Sequence, residues 1–412
     1  MRLPNLNKSA YKLVQPGDIA YNKMRAWQGA LGASSLRSII SAAYVVMRPR
    51  AQVSPLFYHH LYRTPAFAKE AERWSYGITS DMWSLRPEHF KVIYSTCPPP
   101  DEQAAIVRFL DHANRKIDGF IRAKRKLIAL LGEQKQAIIH RAVTRGLDPN
   151  APLKPSGIPW LGDIPKHWEV RRLRTIVRRI EQGISPQATG FLAEGDSWGV
   201  LKSGCINHGV FRQTEHKQLA KGFSIDPNIV VKVGDVLISR ACGSPKLVGS
   251  VGKVEALDYK LILSDKTFRA VFTDLVDADF MVYSMNSVYY RQQVEQAISG
   301  ADGMANNLPL SELRSFIFAL PPLEEAKEIT RQLDRDLAQF NTAIARTLRE
   351  IALMQEYRTR LTADVVTGKL DVRPAAARLP DLPDDSLPSD EFDPVLETDD
   401  GDEHGTVPES ED

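Results

Sequence analysis

The sequence predicts an α+β chain in which two mixed globular domains alternate with two long helices of coiled-coil character, followed by a disordered acidic tail. Three observations predict this arrangement: an apolar heptad pattern over residues 98–147, a repeat of that segment at residues 321–370, and a change of composition near the C terminus. A heptad pattern is typical of a helix that packs along a partner helix of similar length.

The segment 98–147 is predicted to be a single helix. It opens with three prolines, carries Asp101 and Glu102 in its first turn, and contains no further proline. Both features favour a helix N terminus at this point. Apolar residues recur at steps of three and four, which assigns the packing seam to Ile106, Leu110, Ala113, Ile117, Phe120, Leu127, Leu131, Ile138 and Ala142. Such a helix would span roughly 65 Å and needs a partner of similar length.

The partner is predicted to be the helix 321–370, because this segment repeats the first. A shift of 223 positions aligns the two without a gap and places Ile106 on Ile329. Further upstream, a shift of 217 aligns residues 17–19 with residues 234–236, so a six-residue change in length separates the two registers. The chain is therefore predicted to be a duplicated unit, in which a globular part is followed by a long helix.

Residues 1–97 are predicted to form a first, partial domain. A Pro-Gly-Asp turn at residues 16–18 precedes a strand-like run, residues 41–49 are a second strand candidate, and residues 55–74 are an amphipathic helix interrupted at Pro65. Only 16 residues precede the Gly-Asp pair in this copy, against about 60 in the second copy. The first domain is therefore expected to lack its opening third.

Two further boundaries follow from composition. Residues 148–160 are rich in proline and are predicted to be a linker, and residues 161–320 are predicted to form the second domain. Residues 371–412 are predicted to be a disordered tail, because they are rich in proline and acidic residues and poor in large apolar residues.

The overall charge balance hides a strongly basic body. The chain has 53 basic and 51 acidic residues, but 14 of the acidic residues and only one basic residue, Arg378, lie from Pro374 onwards. Residues 1–373 thus carry 52 basic and 37 acidic residues. A body of this charge favours a polyanionic partner, nucleic acid foremost, although a solvated basic surface is an open alternative.

Several classes of protein are disfavoured. Cys97, Cys205 and Cys242 are isolated, so their spacing supports neither disulfides nor a zinc site. No apolar run approaches the roughly 18 residues that a membrane span needs, and no secretory signal opens the chain. The expectation is a cytoplasmic protein without a membrane partner.

An arginine-rich segment near the start of the second domain is the strongest candidate for phosphate binding. It contains Arg171, Arg172, Arg174, Arg178 and Arg179. If residues 169–181 form a helix, Arg171, Arg174 and Arg178 share one face, while apolar side chains face inward. The guanidinium group matches phosphate bidentately, so this face is predicted to contact a phosphate backbone. The alternative is a set of surface ion pairs.

The other candidate nucleic-acid contacts lie in loops rich in glycine, serine and basic residues. They are Ser185, Lys202, Ser203, Asn207, Arg240, Lys246 and Lys253 in the second domain, and Lys23 and Arg25 in the first. Hydroxyl and amide groups can bond base edges, and loops of this composition allow close approach to a phosphate backbone. A solvated loop would have the same composition, so that alternative stays open.

The sequence contains no recognisable catalytic set. Asp235 together with Asp258 and Lys260 has the shape of a nuclease metal site. However, Asp235 and its counterpart Asp18 both follow a glycine and precede a strand, which favours a turn aspartate that bonds its own backbone. No P-loop, dinucleotide-binding or base-flipping methyltransferase motif is present. A Mg²⁺-dependent nuclease therefore remains only a minor alternative, and no catalytic or metal-binding residues are predicted.

The order of these motifs resembles the specificity subunit of type I restriction–modification systems. The segments that carry the resemblance are residues 157–170 (start of a target recognition domain), 234–240 (its internal Gly-Asp strand), 321–325 and less closely 98–103 (entry into the conserved helix), and 367–370 (end of that helix). The likeness covers residues 1–373, and the order of the motifs is more specific than any one of them.

The resemblance implies two target recognition domains separated by two antiparallel helices. Each domain would read one half of a split, asymmetric site in double-stranded DNA, and the helices would set the gap between the halves. The helices would also dock two methyltransferase (modification) subunits, with restriction (translocase and nuclease) subunits completing the complex. By this resemblance the chain is non-catalytic and binds no cofactor itself, since S-adenosylmethionine, ATP and Mg²⁺ belong to partner subunits. The alternative is a coiled-coil scaffold, or an inactive fragment, whose domains bind protein.

Overall fold

The computed structural model describes residues 10–50, 53–77, 83–207, 209–298 and 306–380, which form two compact units. One unit contains the described residues up to Ile128 and from Ile344 onwards, and the other contains Ala129–Ala343. Both units mix helices and sheets, so the predicted α+β class is confirmed. No helix in these ranges is long and apolar enough to cross a membrane. The predicted acidic tail beyond residue 380 lies outside the described residues.

In the first unit, short strands and helices precede a long helix. The strands are β1 (Lys12–Val14), β2 (Ile19–Asn22), β3 (Leu31–Ala33), β4 (Ser38–Ile40) and β5 (Tyr44–Met47). The helices are α1 (Pro55–Tyr62), α2 (Pro65–Arg73), α3 (Pro87–Phe90) and α4 (Pro100–Arg145), of which α4 ends in the other unit. Strand β2 is the centre of the antiparallel sheet β3-β2-β5, and β1 pairs with β4.

Capping explains why α1 and α2 are separate helices. The hydroxyl groups of Ser54 and Thr64 accept hydrogen bonds from the backbone N–H groups of Phe57 and Phe67, and a proline follows each capping residue. A hydroxyl cap followed by proline is a strong helix start. The predicted interruption at Pro65 is therefore confirmed, because Pro65 begins a second helix.

The second unit contains most of the sheet structure. Its strands are β6 (Leu153–Pro155), β7 (Asp163–Pro165), β8 (Glu169–Arg172), β9 (Val177–Gln182), β10 (Trp198–Leu201), β11 (Ile206–Asn207), β12 (Val210–Phe211), β13 (His216–Gln218), β14 (Val236–Ser239), β15 (Ala241–Cys242), β16 (Val251–Lys253), β17 (Lys260–Ile262), β18 (Thr267–Phe272), β19 (Asn306–Asn307) and β20 (Ile317–Leu320). Its helices are α5 (Ala278–Ser284), α6 (Val288–Ala297), α7 (Leu310–Ser315) and the first part of α8 (Leu323–Val366). A short helix, α9 (Arg373–Ala376), follows α8 in the first unit.

The main sheet of the second unit has the antiparallel order β16-β14-β18-β9. Its strand β14 is buried on both faces: Val236 and Ile238 join a core that includes Trp168 and Phe280, whereas Leu237 joins a second core beneath the sheet β13-β10-β17. Because both faces of β14 are covered, only the ends of this strand and the adjoining loops are available to a ligand.

The duplication extends from the Gly-Asp turn to the long helix in each copy. A shift of 223 places the first residues of α1, α2, α3 and α4 on those of α5, α6, α7 and α8. The sheet order β3-β2-β5 recurs as β16-β14-β18. The shift is 217 for β2 onto β14, 220 for β3 onto β16, and 223 for β5 onto β18. The six-residue difference is therefore two separate three-residue extensions, one in each loop beside β16.

The two long helices pack against each other in antiparallel orientation, as predicted. In the first unit Asp118 pairs with Arg358, and Lys124 pairs with Glu350 at 2.6 Å, so residue numbers rise along α4 as they fall along α8. In the second unit the Nζ of Lys135 donates to the Oδ1 of Asn341 at 2.8 Å.

The predicted seam of α4 is only partly right. It is correct at Ile106, Leu110, Ile117 and Ala142, which are buried. It is wrong at Phe120 and Leu127, which are 36% and 40% exposed, while Ile121 and Ile139 are buried instead. After Ile117 the contact advances by four residues to Ile121 rather than by three. A straight helix has 3.6 residues per turn, so a strict 3.5-residue pattern drifts off the contact line.

Candidate nucleic-acid interface

The arginine-rich segment is not helical, so the expected helix over residues 169–181 is wrong. It forms β8, a 3-10 turn at Leu173–Thr175, and β9. Strand β8 pairs with β20, and β9 pairs with β18. Pairing with strands about 90 and 150 residues away outweighs the local helical spacing of the arginines, as tertiary context commonly does.

A bulge in β9 explains why two successive arginines face solvent. Phe272 of β18 lies opposite Val177, and Val271 lies opposite Arg179, so Arg178 is an extra residue in the ladder. A bulge of this kind turns neighbouring side chains away from strict alternation. Arg178 and Arg179 are both exposed as a result.

Some of these arginines form surface ion pairs, as the alternative expectation held. Arg171 pairs with Glu169 at 2.7 Å, Arg178 with Asp274, and Arg179 with Glu181. The side chains of Arg172 and Arg174 have no hydrogen bond or ion pair with any residue that the structure describes.

The 3-10 turn docks on α7 and creates a basic cleft. The backbone N–H of Leu173 donates to the carbonyl of Phe316 at 2.8 Å. A cleft of about 410 Å³ opens beside this contact, lined by Arg174, Val177, Arg178, Arg179, Ser311, Arg314 and Ser315. The sequence analysis missed Arg314. The repeat held a signal for it, because the shift of 223 places the basic residue Lys91 on Arg314.

A second group of predicted residues meets at the turn between β17 and β18. The Oγ of Ser185 donates to the carboxylate of Asp265, and the Nη1 of Arg240 donates to the carbonyl oxygen of Asp265 at 2.8 Å. Lys266, which the sequence analysis missed, follows at once, with its Nζ 3.7 Å from the carboxylate of Asp265. Ser185 and Arg240 are therefore neighbours although 55 positions separate them, and we call Ser185, Arg240, Asp265 and Lys266 the loop cluster.

A close backbone approach holds this cluster together. The N–H of Gly183 donates to the carbonyl of Ser264 at 3.2 Å. A Cβ at position 183 would lie 1.9 Å from the carbonyl oxygen of Leu263. Only glycine fits there, so Gly183 is what allows the segment carrying Ser185 to lie against the turn.

Ser203 begins a 3-10 turn, Ser203–Cys205, which packs beside β14 and β15, the strands that flank Arg240. Lys202 precedes this turn, lies 3.7 Å from Glu215 and is half-buried.

The remaining predicted residues are more dispersed. Asn207 is half-buried, and Lys253 pairs with Asp279 of α5. Lys246 lies in the loop after β15, where its carbonyl accepts a hydrogen bond from Arg291. In the first unit, Lys23 and Arg25 lie in the turn after β2. The structure does not bring these residues into the loop cluster.

A buried arginine braces the sheet beneath the loops. Arg269 is 6% exposed, and its Nε donates to Glu181 at 2.5 Å while its Nη1 donates to Asp235 at 2.9 Å. Burial opposes the charge of Arg269, but the hydrogen bonds and charges of Asp235 and Glu181 outweigh it and raise the pKa of Arg269. Burial likewise opposes the charge of Glu181, but Arg179 and Arg269 outweigh it and lower the pKa of Glu181. Arg269 and Glu181 thus stay ionised.

Asp235 and Asp18 are turn aspartates, as predicted. The Oδ2 of Asp235 accepts from the backbone N–H of Lys232 at 2.8 Å, and the Oδ2 of Asp18 accepts from that of Gln15 at 2.9 Å. The other residues of the nuclease alternative have separate partners: Asp258 accepts from Gln213, and Lys260 pairs with Asp196. In the described ranges no group of three or more His, Cys, Asp or Glu side chains is placed to hold a metal ion.

Comparison with known proteins relates this architecture to one group. No family model matches the chain. The chain is 25% identical over 288 residues to the type I restriction enzyme MjaVIII specificity subunit of Methanocaldococcus jannaschii, covering 69% of the chain and 64% of the relative. It is 23% identical over 389 residues to the EcoKI specificity subunit of Escherichia coli K12, covering 89% and 80%. The chain thus spans just under two thirds of the MjaVIII subunit and four fifths of the EcoKI subunit.

The fold has a solved counterpart as well. A chain from a structure of the type I R-M system, described for its complex assembly and conformational transition, superposes with a TM-score of 0.60 at 17% identity, covering 88% of this chain and 85% of that one. At this identity the match concerns the fold. Together the alignments confirm the resemblance drawn from the sequence: over most of its length, the chain is similar to the specificity subunits of type I restriction enzymes.

Proposed function

We propose that this chain is the DNA sequence-recognition subunit of a type I restriction–modification complex. The observation that carries the proposal is the duplication of a sheet-and-helix unit, each copy leading into one of two long helices that pack against each other. One copy of such a unit can read one half-site, so the pair suits a bipartite target. The relatives that are named specificity subunits support the same assignment.

In this function the arginine-lined edge of β9 contacts backbone phosphates and the loop cluster contacts base edges. Arginine and lysine supply phosphate contacts that position a protein on DNA, and hydroxyl or guanidinium groups at loop tips read bases in the major groove. Ser185, Lys202, Ser203 and Arg240 are the side chains to which we assign base contacts. In the first unit we assign DNA contacts to Lys23, which the shift of 217 places on Arg240, and to Arg25 in the same turn after β2.

Two methyltransferase subunits bind the long helices in this proposal, and restriction subunits complete the assembly. The chain itself contributes no catalytic residue and no cofactor site. Methylation with S-adenosylmethionine and ATP-driven cleavage are functions of the partner subunits. Since its substrate is chromosomal or invading DNA, we place the complex in the cytoplasm.

Selection of bound sequences from random duplex DNA tests the proposal. The full chain, assembled with its methyltransferase subunits, should enrich two short sequence elements separated by a constant gap. Selection at low and at physiological salt is needed, because phosphate contacts weaken as salt rises. Failure to enrich any sequence under both conditions would contradict the proposal.

A scaffold whose globular units bind only protein is the second candidate. The exposed apolar residues Leu130 and Leu353, which the shift of 223 places on each other along α4 and α8, favour a protein partner on the helices. Such a scaffold would enrich no sequence from random duplex DNA at either salt concentration, because any residual binding to its basic surface would involve phosphates alone. The same selection therefore separates the two candidates.

A further inference from the structure

The cleft between the 3-10 turn Leu173–Thr175 and α7 concentrates positive charge on its walls. Arg174 lies on the turn, Arg178 and Arg179 lie on the bulged part of β9, and Arg314 lies on α7. Ser311 and Ser315 add hydroxyl groups to the α7 side. None of the described side chains that line the cleft is acidic. The charged side chains on the walls are therefore all cationic, although the hydroxyl of Ser315 already donates to the carbonyl of Glu312.

Two of these arginines are uncompensated. Arg174 and Arg314 are exposed, and neither side chain has a hydrogen bond or ion pair with any residue in the described part of the chain. By contrast Arg178 has Asp274 as a partner, and Arg179 has Glu181. Two like charges held on facing elements without a carboxylate raise the local potential and favour an anion between them.

The side chains that line the cleft suit a phosphate group. Guanidinium groups bind phosphate through two parallel hydrogen bonds, and an arginine on each wall can bind the same phosphate from opposite sides. Neither arginine lies in the loop cluster, which is built on the turn between β17 and β18. Contact at the cleft would thus be separate from contact with bases.

We propose that this cleft binds a backbone phosphate of the DNA target, with Arg174 and Arg314 as its ligands. The proposal rests on the proposed function and adds Arg314 to the residues that contact DNA. Because phosphate contacts carry no sequence information, the cleft fixes the position of the second unit on the duplex without contributing to the choice of bases. The loop cluster supplies that choice.

The test uses the full chain assembled with its methyltransferase subunits and short random-sequence duplex DNA as the probe. Fluorescence anisotropy gives the affinity of the wild type and of the double variant Arg174→Ala with Arg314→Ala over a range of salt concentrations. Each lost phosphate contact lowers the slope of log affinity against log salt by about 0.9. The expected result is a weaker, less salt-dependent binding of every duplex, with the enriched sequence unchanged.

Arg73→Ala is the control, since it removes one exposed arginine from α2, which lies outside the two long helices and carries none of the assigned DNA contacts; the side chain of Arg73 is 73% exposed. It should leave the affinity and slope close to wild type. A second double variant, Arg174→Gln with Arg314→Gln, removes the same charges but keeps polar side chains. Circular dichroism of both double variants shows whether a loss of affinity comes from misfolding.

The outcomes are distinct. If the wild type binds no duplex with a sequence preference, the proposed function fails and this proposal fails with it. If the wild type selects a sequence while the double variant keeps its affinity and salt slope, only the cleft proposal is overturned. Loss of assembly with the methyltransferase subunits at an unchanged salt slope would make the cleft a protein-binding site and would also overturn it.

Discussion

The indole Nε1 of Trp168 donates a hydrogen bond of 3.0 Å to the Oε1 of Glu325. The other carboxylate oxygen of Glu325 lies 2.7 Å from the Nε2 of His167. Gly146, with φ at +72°, is packed so closely that a Cβ would lie 3.3 Å from Glu325 and 3.4 Å from Trp168. The end of α4, the turn before β8 and the first turn of α8 therefore meet at one carboxylate. Two of the segments that carry the family resemblance are thus in direct contact.

Trp168→Phe should lower the stability of the second unit. Trp168 is fully buried, and phenylalanine leaves Oε1 of Glu325 without its donor. This hydrogen bond is partly buried, since the Glu325 side chain is 32% exposed, so its loss costs about 1 kcal/mol, in addition to the cost of the cavity that the smaller ring leaves. The measurement is the urea midpoint followed by circular dichroism. Trp160→Phe is the control, because Trp160 stacks on Tyr289 with ring centroids 5.9 Å apart but is only partly buried; an equal loss in both variants would contradict the hydrogen-bond argument.

Arg269→Met should be the most damaging single change in the sheet. The substitution leaves two partly buried carboxylates, Glu181 and Asp235, without their cationic partner. It also removes the hydrogen-bond donors of the carbonyl groups of Val230 and Asn228. Breaking a buried ion pair by deleting one partner costs about 3 to 5 kcal/mol. Thermal unfolding of the variant would measure the loss.

The first repeat offers a matched control for that change. Arg48 lies 3.5 Å from Asp18, the counterpart of Asp235, but the side chain of Arg48 is 73% exposed. Asp18 is buried, but solvent screens the exposed guanidinium of Arg48, and Asp18 keeps the hydrogen bond from the backbone N–H of Gln15, so Arg48→Met should cost about 1 kcal/mol or less. An equal loss of stability in Arg48→Met and Arg269→Met would contradict the argument that burial of Arg269 makes its loss costly.

Local signals in the sequence predicted the elements that depend on local chemistry. The Gly-Asp turn is one such case: glycine supplies the positive φ at Gly17 and Gly234, and the following aspartate bonds the backbone three residues earlier in both copies. The prolines at the starts of α4 and α8 and the internal repeat are also visible in the sequence, because the first are local signals and the second is self-similarity.

Features that depend on distant pairing could not be predicted in this way. The arginine spacing at residues 171–178 fits a helix, yet the partners β18 and β20 make the segment extended. Lys266 carries no motif and becomes a candidate contact only when the fold places it beside Arg240, whereas the repeat gives Arg314 a basic counterpart, Lys91, but does not place it beside Arg174. The contact line on α4 likewise depends on the partner helix, which decides that Ile121 rather than Phe120 is buried.

Gly183→Ala should disrupt the loop cluster without removing any of its side chains. The new methyl group would overlap the carbonyl of Leu263, so the segment carrying Ser185 must move away from Asp265. Forcing a methyl group into a packed site costs about 1 to 3 kcal/mol. We expect reduced stability together with altered DNA sequence preference. Gly190→Ala, where a Cβ meets nothing within 4 Å, is the control and should change stability by no more than about 0.5 kcal/mol.

His140 should make the second unit less stable in mildly acidic solution. Burial is the larger cause that lowers the pKa of its imidazole, and the charge of Arg145 adds to it. Its Nδ1 is buried and has no hydrogen-bond partner among the residues that the structure describes. Because the folded-state pKa lies below the unfolded value, the unfolded chain binds a proton more readily as the pH falls. The contribution of His140 is therefore fully present above about pH 6.5 and declines below it.

His140→Leu and His140→Gln remove this titration and should flatten the pH dependence of stability between neutral pH and about pH 5. The size of the effect is bounded at about 1.4 kcal/mol for each unit by which the pKa is lowered. Urea midpoints measured at several pH values for the wild type and both variants supply the comparison. The carboxylates that also titrate toward the acid end are common to all three chains, so they cancel in the difference. A wild-type profile that both variants reproduce would mean that the buried imidazole is not the group responsible.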